Sequence, residues 1–102
     1  MILYNVTCKT DKEIAEEWQN WMLNTHIKEV MDTGKFISYK FCRLIEMDEE
    51  GVTFATQYYC KSSKELHEYM IHHAPLLKQQ AFDKFGDKFI AFRTMLDVID
   101  EG

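Results

Sequence analysis

From Ile2 to Cys8 the chain is apolar and rich in β-branched and aromatic residues, and this run predicts a first strand. The hydrophobic period then changes. Ile14, Trp18, Trp21, Met22 and Thr25 fall on one stripe at helical spacing, the pattern of a helix packed on a sheet. Thr10-Asp11-Lys12-Glu13 has the spacing of a capping box and predicts that the helix starts there, while Gly34 supplies a left-handed stop. Past His26 the stripe loses phase, because Ile27, Val30 and Met31 point away from Trp18 on an ideal helical wheel. A kink, a second packing surface or a subunit contact would each cover them.

Phe36 to Met47 predicts a second strand, Asp48-Glu49-Glu50-Gly51 a turn, and Val52 to Cys60 a third strand, together a β-hairpin. Ser62-Ser63-Lys64-Glu65 repeats the capping pattern. A second helix follows, with Leu66, Tyr69, Met70, His73, Leu77 and Ala81 as its apolar face. Pro75 lacks an N–H and its ring crowds the preceding turn, so a break is expected near His72 to Ala74. Phe85-Gly86-Asp87 ends the helix, and Lys88 to Ile99 predicts a long, apolar fourth strand.

The order β-α-β-β-α-β predicts an α+β, ferredoxin-like architecture: a four-stranded antiparallel sheet with two helices on one face, in a single domain spanning residues 1–102. The other face would then be bare. Strict alternation is expected of a strand with one face in water. Yet strand four runs Phe89-Ile90-Ala91-Phe92, and strand two contains Phe36-Ile37 and Tyr39-Lys40-Phe41. Both sheet faces therefore read as largely apolar, and a second copy of the chain is expected to cover the bare one in a closed homodimer. Size points the same way, since a chain of 102 residues buries only about 60 to 70% of its unfolded surface.

Charge and cysteine usage narrow the function classes. The formal net charge is −5, and the twelve Lys and Arg are scattered among seventeen acids with no basic run, which argues against nucleic acid as a partner. No apolar run approaches the length of a membrane span, and the stretch Met1 to Cys8 is too short and lacks the basic flank of a secretory signal. Cys8, Cys42 and Cys60 are odd in number, widely spaced and outside any C-x-x-C, so reduced thiols in a bacterial cytoplasm are expected. The glycosylation triplet Asn5-Val6-Thr7 falls inside a strand and is discounted for that reason.

Arg43 and Arg93 are the most informative charges, because each lies in an apolar strand and a buried guanidinium requires a partner. A ligand carboxylate or phosphate held by the planar fork is one possibility; an ion pair with Glu46, Asp97 or Asp100, or across a dimer, is the other. His26 marks the phase change in the first helix and His73 the proline break in the second. Either could work as acid or base in a pocket, or be a hydrogen-bonded packing residue. His72 and His73 are about 100° apart on the wheel and cannot chelate one metal, so no metal is assigned. The aromatic residues read first as core. No Gly-rich phosphate loop, G-x-S-x-G or Cys/His nucleophile pair is present, so no cofactor is assigned and an activated-nucleophile enzyme is disfavoured.

Over nearly its whole length the chain resembles an uncharacterised bacterial family of about 100-residue proteins, a domain of unknown function. The likeness is carried by Ile2-Leu3-Tyr4-Asn5-Val6-Thr7, Glu17-Trp18 with Trp21-Met22, His26-Ile27 with Glu29-Val30, Thr33-Gly34-Lys35-Phe36, Cys42-Arg43, Gln57-Tyr58, His73-Ala74-Pro75 and Phe85-Gly86-Asp87-Lys88-Phe89-Ile90-Ala91-Phe92-Arg93-Thr94. In element order, in the His26-Ile27 element and in Lys61-Ser62 after strand three, it is more distantly similar to the dimeric α/β-barrel superfamily of antibiotic-biosynthesis monooxygenases and haem-degrading enzymes. That resemblance implies two sheets back to back and, in each subunit, a pocket between sheet and helices. Haem-degrading members use an Asn on strand one, a Trp at the end of strand three and a His on helix two. Asn5 matches the first, but Cys60 and Gln79 stand at or near the other two positions, so haem degradation is not expected.

The expected function is thus binding of a small anionic or aromatic metabolite between sheet and helices, with His26, His73, Arg43, Arg93 and Asn5 as candidate ligand-binding residues. Two alternatives stand beside it: cofactor-free monooxygenase or isomerase chemistry in that pocket, and a non-catalytic dimeric module that regulates a partner.

Overall fold

The computed structural model describes residues 1–45 and 50–102. Strand β1 (Ile2–Asp11) leads through a short 3₁₀ turn (Lys12–Ile14) into helix α1 (Ala15–Trp21), a π-helical turn (Met22–His26) and helix α2 (Ile27–Asp32). Strands β2 (Ser38–Arg43) and β3 (Gly51–Cys60) follow, then helices α3 (Ser63–His72) and α4 (Ala74–Phe85) and strand β4 (Phe89–Asp97). The strands form one antiparallel sheet in the order β2-β3-β1-β4. This is the ferredoxin-like α+β arrangement that the element order predicts.

Differences from the predicted boundaries have local causes. Thr10 does not cap the first helix. It is still in β1, opposite both Val52 and Phe89, and its buried hydroxyl donates to the Val52 carbonyl oxygen at 3.4 Å. At the second start, the Ser62 hydroxyl bonds to the Glu65 carboxylate and leaves the helical N–H groups uncapped. Strand β2 begins at Ser38 because Phe36 turns into the core, its ring stacked on Tyr4 at 5.9 Å. The expected end of that strand at Met47, and Asp48 and Glu49 of the turn, lie outside the described residues.

The loss of phase after His26 is resolved by one extra residue in a helical turn. The Ile27 N–H donates to the Met22 carbonyl, five residues back rather than four. That insertion rotates the following helix by about 100° and returns Ile27 and Val30 to the face already used by Trp18 and Met22. All four are buried. In the second helical segment the chain breaks at His73, whose φ of −124° and ψ of −43° separate α3 from α4, with Pro75 in the first turn of α4. Pro75 costs nothing there, because no helical partner exists for its missing N–H.

Strand parity sets what each face of the sheet carries. Tyr4, Cys8, Phe54, Thr56 and Tyr58 are buried beneath the helices. The opposite face is more mixed than the strand sequences suggest: Asn5 pairs with Gln57 on one side and Thr94 on the other. Its apolar side chains concentrate on the edge strand β4, where Ile90, Phe92 and Leu96 are 55%, 62% and 44% exposed. Period two explains the difference, because Phe41 shares its face with Phe54 and so serves the helix side.

Gly51 supplies a test of the β1–β3 register. A Cβ at this position would collide with the Thr10 carbonyl oxygen, whereas Gly34, at φ 75°, has open space around it and only backbone strain to lose. Gly51→Ala should lower stability on the order of 2 kcal/mol, or roughly 10 °C in Tm, and Gly34→Ala by about 1 kcal/mol. Thermal unfolding followed by circular dichroism ranks the two, and the reverse order would contradict the register.

Candidate functional site

Between the sheet and the helices lies a cavity of about 50 Å³. Strand β1 supplies Tyr4 and Cys8, the end of the π-turn His26, α4 Lys78, and β4 Arg93. His26 and Arg93, 67 positions apart in sequence, both line this cavity, His26 from the last position of the π-turn. The His26 ring stacks on Trp21 at 4.8 Å, and Trp18 packs on Phe85 and Phe89 at 5.0 and 4.7 Å. A wall of aromatic rings thus holds the histidine in place.

The other candidates from sequence lie elsewhere. His73 stacks on Tyr69 at 6.2 Å, but Tyr69 and not His73 lines the cavity. Arg43 is exposed and borders a separate groove with Glu16, Gln19, Phe41 and Val52. Asn5 faces the opposite side of the sheet from Tyr4, where its Nδ2 donates to the Thr7 hydroxyl at 3.1 Å and its buried Oδ1 has no partner among the described residues. Conversely, Lys78 lines the cavity and was not singled out by the sequence. The signal was available: Lys78 lies four residues after Ala74, three before Ala81 and seven before Phe85, on the stripe by which α4 packs.

Arg93 governs the electrostatics. Burial pushes the Tyr4 and Tyr69 hydroxyls up, and the Cys8 thiol up to about 12, with the nearby Arg93 charge opposing the rise in each case. Burial and then Arg93 lower His26 to about 4, and the same two causes lower Lys78. The five groups mark out the reach of one guanidinium. Among the described residues neither Arg93 nor Lys78 has a carboxylate within ion-pair distance; the ion pairs proposed with Asp97 and Asp100 do not form, and Glu46 lies outside the described residues. No cluster of three or more His, Cys, Asp or Glu side chains among the described residues is placed to hold a metal.

His26 is therefore neutral near pH 7. Its Nδ1 is buried and unpartnered among the described residues, and the ring lines the cavity. Protonation favours the unfolded chain, where the imidazole keeps its ordinary value of 6.5. The stability due to neutral His26 is full above that pH and declines as pH falls towards 4, by on the order of 3 kcal/mol in total. Tm measured from pH 7 to pH 4 should fall less steeply for His26→Gln than for wild type; parallel curves would mean that His26 does not titrate in this way.

No curated protein matches the chain in sequence. Among solved structures, HapK from Hahella chejuensis superposes with a TM-score of 0.76 at 12% identity, over 100% of this chain and 96% of that one. A dimeric ferredoxin-like protein from an uncultured marine organism gives 0.72 at 10%, over 100% and 98% of the two chains. SnoaB, a cofactor-independent oxygenase from Streptomyces nogalater, gives 0.66 at 11%, over 98% and 95%. At these identities the likeness establishes the ferredoxin-like fold shared with such proteins. The family model for a domain of unknown function, DUF4286, matches residues 1–99, and the chain belongs to that family.

Proposed function

We propose that the protein is a homodimer that binds a small anionic or aromatic metabolite in the cavity between sheet and helices. The observation that carries the ligand reading is the meeting of His26 and Arg93 at one cavity with an otherwise largely apolar lining. An exposed guanidinium at the cavity edge, with no carboxylate partner among the described residues and a neutral histidine beside it, supports a site open to an anion. Cofactor-free catalysis on the same ligand is a second reading, supported by a neutral imidazole that can hydrogen-bond a ligand at the cavity. Three free cysteines suit a reducing compartment such as the cytoplasm, and among the described residues no helix is long and apolar enough to cross a membrane.

The dimer reading rests on the exposed row Ile90, Phe92 and Leu96 on one edge strand, and it agrees with the dimeric description of one of the similar structures. A second copy laid against this face would remove the row from water. Light scattering during size exclusion should therefore give twice the 12.2 kDa chain mass for wild type and a shift towards the monomer for Phe92→Asp. A wild-type monomer at micromolar concentration contradicts the proposal. For the ligand, a thermal-shift screen of anionic and aromatic metabolites should yield a compound whose stabilisation is lost in His26→Ala. Failure of every such compound on wild type would favour a non-catalytic interaction module.

A further inference from the structure

Two cations share this cavity with no acid among its described lining residues, and that is the feature least explained by folding. Arg93 from β4 and Lys78 from α4 are both exposed at its edge, so each could have turned outward to water. Both nevertheless line the cavity, beside Tyr4 and Tyr69. Arg93 lies within hydrogen-bonding reach of the Tyr4 hydroxyl, a neutral group that leaves its charge unanswered. Repulsion between like charges is reduced most simply by an anion placed between them.

Resting on the ligand-binding reading above, we infer that the cavity is a carboxylate site, in which Arg93 and Lys78 hold the carboxylate of a small organic acid and the His26 imidazole meets the remainder of the molecule. Three observations favour a carboxylate over the other ligands allowed so far. The first is size: about 50 Å³ accommodates roughly four water-sized positions, which suits a carboxylate with a short substituent and is smaller than the space an aromatic ring needs. The second is geometry of charge, since a planar guanidinium matches a carboxylate in a two-pronged pair and a flexible ammonium adds a point charge. The third is the neutrality of His26. An inorganic phosphate dianion would be better served by a third cation, whereas a neutral imidazole suits the carbonyl or hydroxyl of an organic acid. Positive potential from Arg93 reaches Tyr4, Cys8, His26, Tyr69 and Lys78 alike, so an acid that enters meets it throughout.

Calorimetry and the side-chain NMR signals of His26 and Trp18 test this with propionate and pyruvate, using propionamide as the uncharged counterpart and inorganic phosphate and phenol as competing classes. The expected result is saturable binding of at least one carboxylate, with shifted His26 signals and no response to propionamide. Arg93→Gln and Lys78→Gln should each weaken binding by about tenfold or more, with the Lys64→Gln control unchanged. Both target side chains are exposed and have no ion-pair partner among the described residues, so the variants should fold. Binding of carboxylates that ignores both substitutions would overturn the assignment of the site. Binding of phosphate or phenol alone would overturn the carboxylate class while leaving the cavity as a ligand site. No response of the His26 or Trp18 signals to any probe would overturn both.

Discussion

One extra residue in the turn Met22–His26 sets the geometry on which the rest depends. With ordinary α-helical spacing, Ile27 and Val30 would face about 100° away from the surface that Trp18 and Met22 occupy. The cost of the π-turn is a disturbed run of backbone hydrogen bonds, each worth about 1 kcal/mol. The return is burial of two β-branched side chains, worth about 1.5 to 3 kcal/mol each. Packing wins by that comparison, and the turn is the cheapest way to keep a single helical layer on the sheet. Its by-product is chemical: the residue at the end of the turn, His26, is carried against Trp21 and into contact with the cavity.

Strand β1 imposes the second constraint. Being central, it pairs with both β3 and β4, so every residue along it is fixed to one face by two registers at once. Tyr4 and Cys8 go to the helices, and Asn5 goes to the other side. There Asn5, its buried Oδ1 unpartnered among the described residues, sits between Gln57 and Thr94 in a mixed surface whose apolar part is carried by β4. The two faces are chemically distinct for this reason: one holds the aromatic core and the cavity, the other a polar centre with an apolar edge.

How much of this was legible in the sequence follows from the range of the interactions involved. Element order, the break at Pro75 and the stop at Gly34 are local and could be read directly. The break in phase at His26 was visible, but the inserted residue that heals it depends on the sheet beneath, which a helical wheel does not contain. Thr10 looked like a cap because a Thr-x-x-Glu spacing is local, and it failed because pairing with Val52 and Phe89 extends β1 further. Asn5 was grouped with His26 and Arg93 although parity with Tyr4 already separated them, so that error lay in reading a resemblance ahead of the strand period. Arg93 could be singled out as a charge in an apolar strand, whereas the identity of its neighbours is a property of the fold.

The same separation of local from global resolves an apparent contradiction in the charge. A chain with a net charge of −5 should repel an anion, yet its cavity carries two cations and no acid among the described residues. Surface acids act through water, where charges farther apart than about 8 Å are largely screened at physiological salt. Lys35, Lys84 and Lys88 also answer several of them locally, through ion pairs with Glu68, Glu17 and Glu13. Arg93 acts at short range beside buried aromatic rings, where an effective dielectric near 20 makes its interaction at a given distance about fourfold stronger than in water. The potential that a molecule meets on entering is thus set by the few groups lining the cavity, and the excess of acids determines only the longer-range field it crosses on the way in.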